Sequence, residues 1–190
     1  MFRLSRKGEY ALRTIFHLSI KNETCTTAEI AEIQDIPQPF LKKIIQSLIV
    51  SGLISSTKGQ RGGIKLNLPP EKISVKTVIE GVEGSIFLND CLLCEGTCPR
   101  DKICPLHEMW QKGQLLLMEF LDSQKFDSLV LRHVKLFESV NSKYEVLNPA
   151  VLRLMKLSPG QSGFTSDTSG DLNMEANLPA HKTNVKSNKQ

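Results

Sequence analysis

The chain has 190 residues, 40% of them hydrophobic and 6% aromatic, and a formal net charge of +4. That length accommodates one globular domain with a proper core, plus arms or tails. No run of about 18 apolar residues occurs, which excludes a helical membrane span. Glu9 and Arg13 interrupt the basic start before an apolar stretch can form, so no secretory signal is expected. The expected compartment is the cytoplasm, where thiols stay reduced and clustered cysteines point to a metal, a cluster or redox sensing.

Charge is unevenly placed. Residues 1–70 hold ten basic side chains (Arg3, Arg6, Lys7, Arg13, Lys21, Lys42, Lys43, Lys58, Arg61, Lys65) against five acidic ones (Glu9, Glu23, Glu29, Glu32, Asp35), a balance of +5. A basic first third fits an anionic partner, nucleic acid first, although a merely solvated basic face would look the same.

In chain order, "RKGEYALRTIFHLSIK" predicts a helix over 6–21, with Tyr10, Ala11, Ile15 and Leu18 beside Leu12, Phe16 and Ile20 at helical spacing. Thr27 then caps a short helix whose apolar side is Ala28, Ile30, Ala31 and Ile33. "QPFLKKIIQSLIVSG" predicts a second, with prolines near its start, Gly52 at its end, and Leu41, Ile44, Ile45, Leu48 and Ile49 facing inward. Two short helices across a tight turn form a helix-turn-helix. Strands over 53–57 and 64–68, joined by the basic, glycine-rich "KGQRGG", form a hairpin wing. The fold class expected is therefore mainly α with a small β-hairpin wing: a winged helix-turn-helix over 1–85. A further short helix starts near Ser74.

A cysteine loop follows over 86–105, then a long helix from Pro105. Its residues Leu106, Trp110, Gly113, Leu117 and Phe120 recur at 4, 3, 4, 3, a heptad-like seam suited to a partner helix and hence to a homodimer, unless it packs on its own domain. The segment 106–157 is read as this dimerisation helix and those after it. From about residue 158 the composition turns to Gly, Ser, Thr, Asn and Pro, and 158–190 is read as a disordered tail.

The loop "CLLCEGTCPRDKICPLH" carries Cys91, Cys94, Cys98, Cys104 and His107. Zinc would ask for four ligands, commonly from two CxxC-like knuckles, and only Cys91–Cys94 forms one. An iron–sulfur cluster is held by thiolates from open loops of this kind. A redox-active thiol pair is the third reading. No Walker loop, nucleophile elbow or HExxH motif occurs, so no enzyme activity is expected. A cluster beside a DNA-binding domain has one economical use, which is to let iron supply, oxygen, redox state or nitric oxide change DNA affinity.

The segments "FRLSRKGEYALR", "TAEIAEIQDIPQPFLKKIIQSLIVSGLISS", "KGQRGGIKL" and "CLLCEGTCPRDKICPLHEMW" resemble those of the IscR/NsrR-type iron–sulfur winged-helix transcriptional regulators, over about residues 2–132. The resemblance implies an iron–sulfur cluster (2Fe–2S or 4Fe–4S) on Cys91, Cys98 and Cys104. Cys94 is an extra thiol and a further candidate ligand. The fourth ligand would be His107, or else Glu9 reaching across from the partner subunit. A hard carboxylate there would leave one iron easy to attack. The resemblance also implies that Gln38, Pro39, Phe40 and Lys42 enter the major groove of double-stranded DNA. Lys43 and the wing residues Lys58, Gln60 and Arg61 would contact phosphate or the minor groove, and a two-fold dimer would read a palindromic operator. Two other functions fit the motifs: a zinc-stabilised winged-helix regulator without redox role, and a small iron–sulfur electron-transfer protein.

Overall fold

The computed structural model describes residues 4–59, 62–94, 96 and 98–141, with side chains as far as 137. Gln60, Arg61, residues 142–157 and the tail at 158–190 lie outside the described residues.

Helix α1 (Arg6–Lys21) covers the expected range. Ser5 caps it, its Oγ accepting from the Lys7 and Gly8 amides at 3.1 and 3.2 Å. Asn22 ends it in the left-handed region, φ 49°, donating its amide to the Leu18 carbonyl. Helix α2 (Thr27–Ile33) is capped by Thr26, not Thr27: the Thr26 hydroxyl accepts from the Glu29 amide at 3.1 Å. Thr27 is already helical, and the Thr26 hydroxyl reaches the third amide of the turn, as an N-cap side chain must. Of its expected apolar side only Ile30 and Ala31 are buried; Ala28 is exposed and Ile33 half-buried.

The turn to α3 (Gln38–Val50) places Asp35 at φ 52° and buries Ile36, whose amide bonds the Ala31 carbonyl at 3.0 Å. Leu41, Ile44, Ile45 and Leu48 are the buried face of α3, as the pattern predicts, while Ile49, expected with them, is half-buried at its edge. The wing is β1 (Ile54–Thr57) antiparallel to β2 (Gly63–Leu66), with Ile54 opposite Leu66 and Ser56 opposite Ile64. Sequence reading extended the strands to Leu53 and Leu68. Instead Leu53 sits in the core and Leu68 is exposed beyond the hairpin.

Helix α1 is the central element, packed against α3, α4 (Val75–Glu83) and α6 (Phe126–Asn141). One apolar core joins Ile15 and Leu18 of α1, Ile30 of α2, Leu41 and Leu48 of α3, Ile54 and Ile64 of the wing, Val78 of α4 and Phe126 of α6. Helix α5 (Pro105–Ser123) has no buried residue. It is fastened at its middle and at its C-terminal end. Gln114, midway along α5, bonds the start of the cysteine loop, its Nε2 donating to the Ile86 carbonyl at 2.6 Å and its Oε1 accepting from the Leu88 amide at 2.9 Å. At the C-terminal end, residues 73–75 pair with 124–126: the Val75 amide bonds the Gln124 carbonyl at 2.9 Å, and the Phe126 amide bonds the Ile73 carbonyl at 3.1 Å. Ser74, the N-cap of α4, donates to Asp122 at 2.8 Å, and that bond, with Lys125 nearby, holds the Asp122 carboxyl below its ordinary range.

Candidate nucleic-acid interface and metal centre

Both prolines at the start of α3 fall where a helix has amides to spare. Pro37 is the N-cap and Pro39 lies in the first turn. Gln38, Pro39, Phe40, Lys42 and Lys43 are all exposed, and Phe40, an aromatic ring, is 59% exposed. Lys58 is exposed at the tip of the wing, followed by Gly59 at φ 118°, a conformation that favours glycine. The described candidate contacts thus lie on the surface with no role in the core.

The wing is not free-standing. Cys25, in the turn after α1, pairs with Ile64 of β2 in both directions: Cys25 amide to Ile64 carbonyl at 2.9 Å, Ile64 amide to Cys25 carbonyl at 2.8 Å. Gly63 beside it has no room for a side chain, since a Cβ would lie 2.6 Å from the Cys25 carbonyl oxygen. No local sequence signal marked this rung.

Glu9 sits on the first turn of α1 and pairs with Arg13. Arg13 Nη1 also donates to the Gln34 carbonyl, at 3.3 Å, in the turn between α2 and α3. Position 9 is therefore joined by one guanidinium to the turn that sets the reading helix.

In the cysteine loop, Cys91, Cys98 and Cys104 are half-buried and Cys94 is exposed. Short-range bonds shape the loop: the Gly96 amide to Asp101 Oδ2 at 2.9 Å, the Asp101 amide to the Cys98 carbonyl at 3.1 Å, and the His107 amide to the Cys104 carbonyl at 3.1 Å. A cavity of about 690 Å³ opens here between Phe87, Cys91, Cys94, His107 and Leu115. His107 Nε2 lies 3.0 Å from Gln111 Nε2, while its Nδ1 is buried without a hydrogen-bond partner. Cys91, Cys94 and His107 line the same cavity. Cys98 and Cys104 do not border that cavity, and Glu9 of the same chain is elsewhere, on the head. Cysteine sulfurs and an imidazole with an unpartnered ring nitrogen are donor types that an iron–sulfur cluster or zinc takes, and among the described residues no three of these loop donors converge within 4.8 Å of one another.

Among the described residues, the one set of three metal-ligating groups with donor atoms within 4.8 Å of one another is His17, Cys25 and Glu29, outside the loop. Nothing in the local sequence around His17, Cys25 or Glu29 marks them as ligands, since they share no motif spacing. Both His17 ring nitrogens are buried without a hydrogen-bond partner, an arrangement that costs about 1–3 kcal/mol for each unmet group. Burial holds the His17 imidazole below its ordinary value against the opposing pull of Glu29. Burial, reinforced by the Glu29 and Glu23 carboxylates, pushes the Cys25 thiol up to about 12.

Comparison with known proteins decides the family. The Rrf2 profile, described as iron-dependent transcriptional regulator, matches residues 4–132. The chain belongs to the Rrf2 family. It is 29% identical over 131 residues to the HTH-type transcriptional regulator IscR of Aliivibrio salmonicida, covering 68% of this chain and 77% of that protein. It is 28% identical over 131 residues to NsrR of Oceanobacillus iheyensis, covering 67% and 88% respectively. Among solved structures it is similar to CymR, the global cysteine regulator of B. subtilis, with TM-score 0.58 and 25% identity, covering 70% of this chain and 98% of that one. The winged-helix fold and the regulator class expected from the sequence both hold. As an Rrf2 member the chain is a DNA-binding transcriptional regulator and not an enzyme, and the electron-carrier alternative falls. No helix among the described residues is long and apolar enough to cross a membrane.

Proposed function

We propose that this Rrf2 regulator acts as a homodimer on a palindromic operator, and that an iron–sulfur cluster held by Cys91, Cys98 and Cys104 controls its DNA affinity. Glu9 of the partner subunit supplies the fourth ligand in this reading, with His107 as the other candidate. The carrying observation is the bridge from Glu9 through Arg13 to the Gln34 carbonyl. Whatever takes hold of Glu9 acts one residue away from the turn that positions α3.

The chain's own groups do the rest. Gln38 and Phe40 face the groove, where a glutamine pairs with an adenine edge and an aromatic ring meets a thymine methyl. Lys42 enters the groove with them, and Lys43, Lys58 and Arg61 meet phosphate or the minor groove, with Gln60 between the last two. The exposed side of α5 gives the two copies their seam. Leu106 and Phe120, expected there, are 59% and 60% exposed, and Leu116 is 68% exposed. Trp110 and Leu117, by contrast, are half-buried. The exposed apolar residues of α5 are therefore Leu106, Met109, Leu115, Leu116 and Phe120, while Gly113 is half-buried against Leu88. When bound, the cluster supplies iron open to nitric oxide or oxygen. If Glu9 held the partner's cluster, its release would leave it paired with Arg13 as here and would free the head from the partner's loop.

The test is anaerobic purification, an absorption spectrum, and iron and sulfide counts. Brown protein that bleaches with nitric oxide or air is expected; colourless protein with one zinc per chain overturns the reading. A second reading, zinc on the loop, is favoured by one observation: Cys91, Cys94 and His107 share one cavity wall. Cys94→Ala separates the two. It leaves most of a cluster chromophore intact, and it abolishes a zinc site built on the CxxC pair.

A further inference from the structure

The head contains a second potential donor set, remote in sequence from the cysteine loop. His17 lies in the middle of α1, Cys25 in the turn after it, and Glu29 in the first turn of α2. All three donor atoms fall within 4.8 Å of one another, and His17 Nε2 is 3.7 Å from Glu29 Oε1. A tetrahedral zinc ion with bonds of about 2.0–2.3 Å holds its donors roughly 3.3–3.6 Å apart. The site is thus about one ångström from closed. His17 is fully buried, and neither ring nitrogen has a hydrogen-bond partner. That is the independent sign of a ligand site: a buried imidazole grouped with a thiol and a carboxylate, its nearest carboxylate oxygen, Glu29 Oε1, standing off at 3.7 Å.

We infer that His17, Cys25 and Glu29 form a zinc site in the DNA-binding head, with one coordination position left for water on the partly exposed Glu29 side. The donor types are those zinc takes: imidazole nitrogen, thiolate sulfur and carboxylate oxygen. Charge balances as well. One thiolate and one carboxylate neutralise a divalent ion, so a buried site carries no net charge and avoids the cost of an unpaired interior ion. Cys25 enters as a thiol; its proton passes to solvent as the metal–sulfur bond forms. Glu29 gives up its present cationic neighbour Lys21, whose Nζ lies 3.6 Å away. Lys21 remains a like charge near the ion, and removing it tightens binding.

The site matters because of where Cys25 stands. Its backbone is the rung that holds β2 through Ile64, and its carbonyl is the surface against which Gly63 packs. Zinc there joins α1, α2 and the base of the wing at one point. Filling the site fixes the wing against the helix-turn-helix without any part played by the cysteine loop, so it stands whether or not the loop holds a cluster.

The test uses the full chain with Cys91→Ser, Cys94→Ser, Cys98→Ser and Cys104→Ser, so that Cys25 is the one remaining thiol. Cobalt(II) is the probe. One equivalent is expected to produce an ultraviolet thiolate-to-cobalt charge-transfer band, which zinc then displaces while raising the melting temperature. Adding Cys25→Ser removes the band, and Glu29→Gln weakens binding at least tenfold. A folded chain, judged by circular dichroism, that gives no band overturns the inference, as does a band that survives Cys25→Ser. Should the four-serine chain not fold, the wild-type chain answers by alkylation of Cys25 in mild urea. Zinc slows it at least tenfold in wild type and leaves the rate nearly unchanged in Glu29→Gln. Equal rates with and without zinc, or full protection in Glu29→Gln, overturn it.

Discussion

Glu9 and Arg13 are paired one turn apart on α1, and the same guanidinium donates to the Gln34 carbonyl 3.3 Å away in the helix-turn-helix turn. An exposed pair of this kind contributes little stability. Its interest is the connection: changing the partner of Glu9 changes what holds Arg13, and Arg13 touches the turn before α3. Glu9→Ala is therefore expected to leave a cluster that is altered or short-lived, and DNA binding that no longer responds to nitric oxide. His107→Ala is expected to leave spectrum and response nearly normal. Anaerobic spectra and operator binding before and after nitric oxide measure both. A silent Glu9→Ala with a collapsed His107→Ala would assign the fourth ligand to the loop's own helix.

Exposed cations and exposed readers on the head predict different failures. Lys58→Ala is expected to weaken binding to all sequences and to flatten the salt dependence by about one unit of slope, as for one lost phosphate contact. Gln38→Ala is expected to relax preference at one base pair, costing about 1–3 kcal/mol there. Titrations of operator and of single-base variants over a range of salt concentrations distinguish them. Unchanged binding in both would place the DNA elsewhere.

Phe126 anchors α6, and with it the end of α5, in the core of the head. It is 1% exposed and belongs to the apolar core, with α6 packed against α1 and the segment before α4. Phe126→Ala removes a large buried ring and is expected to cost about 3–5 kcal/mol. Urea unfolding measures this. A loss under about 1 kcal/mol would mean that α6 is not part of the cooperative core.

His133 of α6 meets the Phe16 ring edge-on at 5.3 Å and lies 6.4 Å from Phe137. Burial there holds its imidazole below the ordinary value of 6.5. The sign follows from linkage. The unfolded chain takes up a proton near 6.5 while the folded chain resists it, so acid favours unfolding. The contribution of the neutral ring is complete above that value and is lost as pH falls below it towards the depressed folded value. Melting temperatures at pH 7.5 and 5.5 are expected to differ less in His133→Phe than in wild type. The same difference in both would show that His133 titrates normally in the fold.

What the sequence determines by itself is whatever short-range physics encodes. Helical periodicity, a serine before a helix, prolines in a first turn and glycines in a basic hairpin all act within a few residues, so α1, α3, the wing and the Ser74 cap are legible as written. The cysteine spacing is equally local and marks the loop without help from the fold. A one-residue ambiguity such as Thr26 against Thr27 is decided by backbone geometry, because either hydroxyl is chemically able to cap. Tertiary structure alone decides the rest, because it depends on which distant surfaces meet. The two sides of α5 carry similar apolar residues, and only packing of Gln114 against residues 86–88 turns Leu116 outward and leaves Leu117 half-buried. Arg13 finds the Gln34 carbonyl, and Cys25 finds Ile64, through contacts between separate elements. His17, Cys25 and Glu29 are spaced 8 and 4 residues apart across a helix, a turn and a second helix, a pattern with no period of its own. Their donor atoms converge because α1 and α2 are folded back on each other over a shared core.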